Sequence, residues 1–157
     1  ELLQTTEYVY RRLHLQRTYF SAFHPIEDTP LENLPATPLV RQNRLYEASF
    51  LLRDYGFAME ELPFSQSGNL PLGIDPKLAW AQINLANQPI ELNLASRQEL
   101  LRIPGIGLKG SAAILGARQQ NKLQDVEDLY RLGINARRAA PFILLNGHRP
   151  AYQASFF

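Results

Sequence analysis

The stretch "LLRIPGIGLKGSAAIL", Leu100 to Leu115, contains three glycines in the spacing G-x-G-x-x-G. This spacing is typical of turns that bind dinucleotide cofactors, but such a turn follows a β-strand. Here Ser96 and Glu99 have the spacing of a capping box, which predicts that a helix begins at about Arg97. Pro104 ends this helix, because proline disfavours helical backbone in the residue before it. The predicted order is helix, tight turn, helix, which makes the cofactor interpretation the less favoured one.

The glycines of this turn suit a site for an anion. Glycine adopts positive φ without steric cost, so Gly105 and Gly107 can join two helices through a very short turn. The second helix is predicted to begin near Leu108, and its first amides carry partial positive charge that favours a phosphate. With no side chains on Gly105, Gly107 and Gly110, an anion can approach these amides, and Lys109 adds a full positive charge.

This stretch resembles the helix-hairpin-helix family, with Ser111 in place of the usual alanine. A second stretch, "LYRLGINARRAAPFI", resembles a degenerate copy of the same motif, so residues 89–157 are similar to a tandem helix-hairpin-helix domain. The second copy departs from the family at two positions. Asn135 stands where the second glycine is expected, and Pro141 falls inside the second helix, where it costs backbone hydrogen bonding. The second hairpin is therefore the weaker candidate for a DNA contact.

The resemblance implies sequence-independent binding of the DNA backbone, expected as duplex, through the hairpin amides. Some members of the family also hold a monovalent cation on hairpin carbonyls, which by position are those of Leu101, Ile103 and Ile106 here; no other cofactor is expected in this chain. Together with the basic charge, the resemblance predicts these DNA-binding residues: Gly105, Ile106, Gly107, Leu108, Lys109, Gly110, Arg137 and Arg138. The alternative is a hairpin that only packs helices or docks a protein.

Charge is unevenly distributed along the chain. The formal net charge is +1, but the part from residue 91 onward carries nine basic and five acidic residues, and the first 90 residues carry a net charge of −3. A basic C-terminal part is typical of a protein that binds nucleic acid, although a mixed surface without a partner has the same balance. Cysteine is absent, which excludes disulfides and iron–sulfur clusters held by this chain and is compatible with a cytoplasmic location.

The first 88 residues predict helices around a proline-rich loop. A helix is expected over residues 2–13, a strand over residues 17–23, and a loop over the following stretch with its four prolines. The longest helix is expected over residues 39–55, with Gly56 as its C-terminal stop. Pro76 is a favourable first residue for a short helix after it. The fold class is mainly α, with at most a lone strand or small hairpin near the start.

Part of this region resembles the end of the barrel in radical SAM enzymes, on the stretch "ELLQTTEYVYRRLHLQRTYFSAFHPIEDTPL". "PLVRQNRLYEASFLLRDYGF" and "IDPKLAWA" look like the connection from such a barrel to a helix-hairpin-helix tail. The whole chain thus resembles the C-terminal part of the DNA modification/repair radical SAM proteins. Their cluster motif C-x-x-x-C-x-x-C is not in this chain, which begins at Glu1 and is expected to be a fragment.

The residues support two domains, 1–88 with the barrel-end-like segments and 89–157 with the tandem hairpins. The predicted function is sequence-independent DNA binding as the tail of a larger radical SAM protein. One alternative is an enzyme completed by a cysteine-bearing barrel that this chain lacks, and another is a scaffold for protein interaction. Tyr130 on the second hairpin is expected in the core, with base stacking as the alternative.

Overall fold

The computed structural model describes residues 1–151 and is mainly α-helical, as the sequence predicts. Two compact units divide the chain at Glu1–Pro76 and Lys77–Phe157, and residues 152–157 at the end of the predicted second domain lie outside the described residues. The described elements, in chain order, are α1 (Leu2–Arg11), α2 (Leu39–Asp54), a 3₁₀ turn (Met59–Glu61), α3 (Pro76–Asn84), β1 (Ile90–Glu91), α4 (Arg97–Arg102), α5 (Leu108–Gln120), α6 (Val126–Arg131), α7 (Ala136–Ala139), a second 3₁₀ turn (Ala140–Phe142) and β2 (Ile143–Leu144).

The first unit is built on α1 and α2. The inner face of α1 buries Leu3 and Thr6, and the Thr6 hydroxyl donates to a carbonyl one turn earlier at 2.9 Å. At the end of α2 the Tyr55 amide donates to the Leu51 carbonyl at 3.3 Å, and Gly56 follows with φ of +69°. This left-handed residue is the C-terminal stop that the sequence predicts.

The prediction of a strand over residues 17–23 is wrong. The segment has no strand partner in the described chain, and its polar backbone groups bind side chains of α2 instead. The Phe20 amide donates to the Tyr46 hydroxyl at 3.0 Å, and the Ala22 amide donates to Gln42 Oε1 at 2.7 Å. The Phe20 ring meets the Tyr46 ring edge to face, with centroids 5.1 Å apart. The aromatic composition suits an extended backbone, but no second strand in this unit is available for pairing.

The second unit has one continuous apolar core to which its helices contribute. Its most deeply buried side chains come from both ends of the unit and from every helix between: Ala81, Leu92, Leu100, Ile103, Ile106, Ile114, Leu129, Ala139 and Ile143. The short strands β1 and β2 pair in parallel, with Ile90 opposite Ile143. These strands lie in the C-terminal half, whereas the sequence placed its only strand near the start. Two residues are too few to show a strand period.

None of the helices described over residues 1–151 is both long enough and apolar enough to span a lipid bilayer.

Candidate nucleic-acid interface

The helix before the glycines is set by its first and last residues, as the sequence predicts. The Ser96 hydroxyl accepts from the Glu99 amide at 3.2 Å, and a Glu99 carboxylate oxygen accepts from the Ser96 amide at 2.7 Å. Hydrogen bonds to the Glu99 carboxylate from the Ser96 side chain and the Ser96 amide lower the pKa of Glu99. At the other end Ile103, before Pro104, is extended with ψ of 126°. A helix and not a strand therefore precedes Gly105, so the βαβ geometry of a dinucleotide turn is missing here.

Only one glycine of the first turn has a left-handed conformation. Gly105 has φ of +85°, whereas Gly107 has φ of −103° and ψ of −170°, an extended conformation open to any residue. The expectation of positive φ at both glycines is thus wrong for Gly107. One left-handed residue is enough to reverse the chain between α4 and α5, and Gly107 then serves as the N-cap of α5.

We call α4, its turn and α5 the first helix pair, and α6, its turn and α7 the second helix pair. The two pairs pack directly through glycine. A Cβ at Gly105 would lie 2.5 Å from the carbonyl oxygen of Asn135 and 3.1 Å from Cβ of Arg138. A Cβ at Gly110 would lie 3.2 Å from Cγ1 of Ile134. The close approach of the second helix pair therefore accounts for glycine at both positions without reference to a ligand.

The start of α5 offers backbone amides. Gly107 has no side chain to cap the helix, and the first backbone bond of the ladder runs from the Ser111 amide to the Gly107 carbonyl at 2.8 Å. The amides of Leu108, Lys109 and Gly110 precede that bond and belong to the group that an α-helix leaves without helical partners. The buried Ser111 hydroxyl donates to the Leu108 carbonyl at 3.0 Å and therefore does not cap these amides.

The other helix starts of this region are capped by side chains. Ser96 caps α4, the Asp125 carboxylate accepts from the Asp128 amide at 3.2 Å at the start of α6, and Asn135 accepts from the Arg138 amide at 3.2 Å at the start of α7. The Asp128 carboxylate in turn accepts from the Gln124 amide at 2.8 Å. Among the described helices α4 to α7, α5 alone therefore begins without a side-chain cap.

The second helix pair repeats the first with differences at the predicted positions. Its turn has one left-handed glycine, Gly133, with φ of +71°. Asn135 stands at the position equivalent to Gly107 and satisfies an amide of its own helix. As expected from Pro141, the last helix is interrupted: α7 ends at Ala139 and continues as a 3₁₀ turn. Helix α7 is thus only four residues long, and Asn135 already caps its start.

Several of the cations counted in the sequence hold the fold together. Arg118 Nη1 donates to the carbonyls of Leu92 and Ala95 at 3.0 and 2.6 Å. Arg149 donates to the Ala86 carbonyl at 2.7 Å and to a second carbonyl at 3.0 Å. Exposed positive charge near the first turn comes instead from Lys109 and from the second helix pair. The sequence count of nine basic residues overstates the charge available to a partner.

Arg138 lies on the part of the second helix pair that meets the first turn, and Arg137 precedes it on the same short helix. Both side chains are exposed, and Cβ of Arg138 is among the atoms nearest to Gly105. Because Gly105 is three residues before Leu108, the first residue of α5, the packing brings Arg138 close to the uncapped amides. Amides and cations that are far apart in the sequence thus share one region of the second unit.

Lys77 is a residue of this region that sequence reasoning missed. Its ammonium group donates to the carbonyl of Ile106, in the middle of the first turn, at 2.6 Å. Ile106 supplies one of the three carbonyls predicted to hold a monovalent cation; the Ile103 carbonyl accepts from the Ile106 amide at 3.2 Å. Nothing in the sequence pairs Lys77 with a turn 29 residues later. The predicted cation site thus already receives one positive charge from the chain itself.

A second contact fixes α3 beside the same turn. The guanidinium carbon of Arg102, at the end of α4, lies 5.4 Å from the centroid of the Trp80 ring. Trp80 follows Lys77 by one helical turn, so both side chains project from the same face of α3. Together they hold the end of α4 and the first turn against α3.

Tyr130 is not in the core, and the expectation that it packs there is wrong. Its side chain is 51% exposed, while its neighbour Leu129 is completely buried. On a helix of six residues only one face meets the core, and Leu129 occupies it.

The comparisons found no protein-family model, curated protein or solved structure that matches the chain.

Proposed function

We propose that the chain binds DNA without regard to base sequence, with the start of α5 as the contact for a backbone phosphate. The observation that supports this most directly is that α5 begins at Gly107 with no side-chain cap. A helix start carries partial positive charge, and its amides can donate to phosphate oxygens. Lys109, exposed in the first turn of α5, adds a full positive charge at the same end.

The cations of the second helix pair extend this surface. Arg137 and Arg138 are exposed, and the packing against Gly105 brings the second of them next to the first turn. Contacts from backbone amides and from arginine and lysine to phosphates position a protein on DNA but read no base sequence. Sequence-independent binding follows from these residue types.

We further propose that this activity belongs to a larger cytoplasmic protein of the DNA modification/repair radical SAM type. This part of the proposal rests on the resemblance of the first 88 residues to the end of a barrel and of the remainder to a tandem helix-hairpin-helix domain. A reaction on DNA or its precursors would then be carried out by a cysteine-bearing barrel, with the present chain holding the nucleic acid. The proposal includes a monovalent cation at the Leu101, Ile103 and Ile106 carbonyls, which would have to displace the Lys77 ammonium from the Ile106 carbonyl.

The test is the salt dependence of DNA affinity for charge variants. Each phosphate contact on duplex DNA contributes about 0.9 to the slope of log affinity against log salt concentration. Lys109→Ala and the pair Arg137→Ala, Arg138→Ala should each weaken binding and lower this slope. Lys122→Ala is the matched control, because it removes the same charge beyond the opposite end of α5, about 20 Å away. The affinities should be measured on two unrelated duplex sequences.

Equal losses for Lys109→Ala and Lys122→Ala would show diffuse attraction and contradict a contact at the start of α5. An unchanged slope for the arginine pair would remove the second helix pair from the contact. If the wild-type chain shows no salt-dependent affinity for DNA, the proposal fails, and a scaffold for protein interaction becomes the better interpretation.

A further inference from the structure

An open cavity lies between the two helices of the second helix pair. Its volume is about 340 Å³, close to the lower end of the roughly 300–1,000 Å³ common for small-ligand sites. The side chains around it combine one aromatic ring, small apolar groups and two opposite charges: Val126, Glu127, Tyr130, Ala136, Arg137, Ala140 and, from beyond the helix pair, Ala151. These side chains differ chemically from the uncapped amides at the start of α5, so a different chemical group is expected to bind here.

The apolar part of the cavity suits a flat ring. Ala136 and Ala140 border the cavity with side chains of a single carbon, which limits how far they project into it. Tyr130 borders the same space with half of its side chain exposed, since Leu129 takes the inward position on α6. An exposed aromatic ring beside a small apolar floor can stack on the face of a nucleobase.

The polar part of the cavity argues against a phosphate as its ligand. The Glu127 carboxylate borders the cavity and would repel an anion, while Arg137 on the opposite helix supplies donors. The edge of a nucleobase presents both donors and acceptors and can satisfy a carboxylate and a guanidinium together. The chemistry of the lining thus favours a heterocyclic base.

The cavity lies within reach of the proposed phosphate contact. Helix α7 separates them: Ala136, Arg137 and Ala140 border the cavity, while Asn135 and its neighbours approach the first turn at Gly105. A helix with its side chains is about 10–12 Å across, roughly the length of three nucleotides at 3.4 Å each. One DNA strand can therefore place a phosphate at α5 and a base in the cavity.

We propose that this cavity binds one unpaired base of a DNA strand, stacked on Tyr130, while the adjoining backbone is held at the start of α5. The inference rests on the proposed DNA binding and adds a preference for DNA with a single-stranded part. A base inside a duplex is paired and stacked, so it cannot enter the cavity without being extruded. Duplex affinity should then depend on α5, and the preference for an overhang should depend on Tyr130.

The experiment compares the affinity of the full chain for a blunt duplex and for the same duplex with a single-stranded extension. Wild type should bind the extended DNA more tightly. Tyr130→Ala should lose about fivefold or more of its affinity for the extended DNA, the effect of removing one stacked base, and keep its duplex affinity within twofold. Tyr130→Phe should keep both affinities because the ring remains. Tyr8→Ala, at an equally exposed tyrosine of the first unit, is the matched control and should change neither.

A base analogue gives a second measurement. The fluorescence of 2-aminopurine placed in the single-stranded extension should fall when wild type or Tyr130→Phe binds, and should not fall with Tyr130→Ala. If Tyr130→Ala weakens both DNAs equally, or neither, the cavity does not take a base and the inference is wrong. That outcome leaves the duplex affinity of wild type intact, whereas failure of the proposed function would remove duplex binding itself.

Discussion

At the scale of single residues, the three glycines of the first turn have three different tasks. Gly105 supplies the left-handed step and the space for the carbonyl of Asn135, and Gly110 supplies space for Ile134. Gly107 has an extended backbone that does not require glycine, and it is the N-cap of α5. The regular spacing of the glycines in the sequence therefore hides three different structural positions.

We expect Gly105→Ala to lower the free energy of unfolding by about 2–4 kcal/mol. Left-handed backbone costs alanine about 1–2 kcal/mol, and the new Cβ would meet a backbone oxygen at 2.5 Å. Gly107→Ala should cost less than about 1 kcal/mol, the range for replacing glycine by alanine at an N-cap. Urea unfolding measures both values.

Gly116→Ala is the control for the glycine pair. Gly116 lies within α5 with nothing within 4 Å of the added Cβ, so alanine there should stabilise the protein by about 0.5–1 kcal/mol. If Gly105→Ala and Gly107→Ala had equal free energies of unfolding, this result would contradict the close contact between Gly105 and the second helix pair.

At the scale of elements, the helices of the second unit are held at their ends. Ser96 and Glu99 close the start of α4, and Lys77 and Trp80 fix its far end and the turn beyond it. The start of α5 is the exception, since only backbone is present there. A rigid turn supported from behind keeps the α5 amides in place, and preorganised donors lose little freedom when a ligand binds.

We expect the contribution of the Glu99 charge to fade in acid. The pKa of Glu99 is lowered in the folded chain, so its negative charge stabilises the fold at pH values above about 4.3, the ordinary pKa of glutamate. This stabilisation is lost as the pH falls through the lowered pKa of the folded state. At pH 7 the free energy of unfolding of wild type should exceed that of Glu99→Gln by about 0.3–1 kcal/mol, the range for a favourable charge near a helix start. In urea unfolding the gap should shrink as the pH falls below about 4.3 and through the lowered pKa of Glu99.

The glutamine variant removes the charge but keeps the hydrogen bond, since its amide oxygen can still accept from the Ser96 amide. The pKa of Asp128 is lowered as well, mainly by the Gln124 amide, but this group titrates alike in both proteins and cancels in the difference. A gap that stays constant from pH 7 to pH 2 would show that the Glu99 carboxylate contributes no charge-dependent stability.

At the scale of the whole molecule, the two units differ in how completely they bury apolar side chains. The second unit has a continuous core, with Leu100, Ile103 and Ile114 completely buried. The first unit leaves large apolar side chains in solvent, among them Leu13 at 54% and Tyr19 at 79% exposure. Stability within a domain follows the density of buried apolar contacts, so the units should open at different free energies.

Native-state hydrogen exchange should show this difference directly. We expect the amides of residues 17–23 to exchange much faster than those of residues 100–115 at low protein concentration. In the first segment Phe20 and Ala22 donate only to side chains of α2, whereas the second segment lies in helices over a buried core. Equal protection of the two segments would identify the first unit as autonomously stable, and would contradict the view that it resembles the end of a larger barrel.

The sequence by itself determined the local boundaries of the fold. The capping box of Ser96 and Glu99, the helix stop at Gly56 and the interruption at Pro141 all depend on a few neighbouring residues, and the structure confirms each of them. The order of helix, turn and helix in the first helix pair was predicted correctly for the same reason, since Ser96 and Glu99 start α4 and Pro104 follows its end. Backbone conformation over three to five residues follows from side-chain chemistry that can be read directly from the chain.

Only the tertiary structure decided which distant residues meet. The contacts of Gly105 with Asn135 and of Lys77 with Ile106 join segments that no period or spacing relates. The exposure of Tyr130 was missed for a similar reason, because a short helix shows its inner face only once its neighbours are placed. Such contacts depend on how whole helices pack, and this packing selects among many arrangements that satisfy the same local rules.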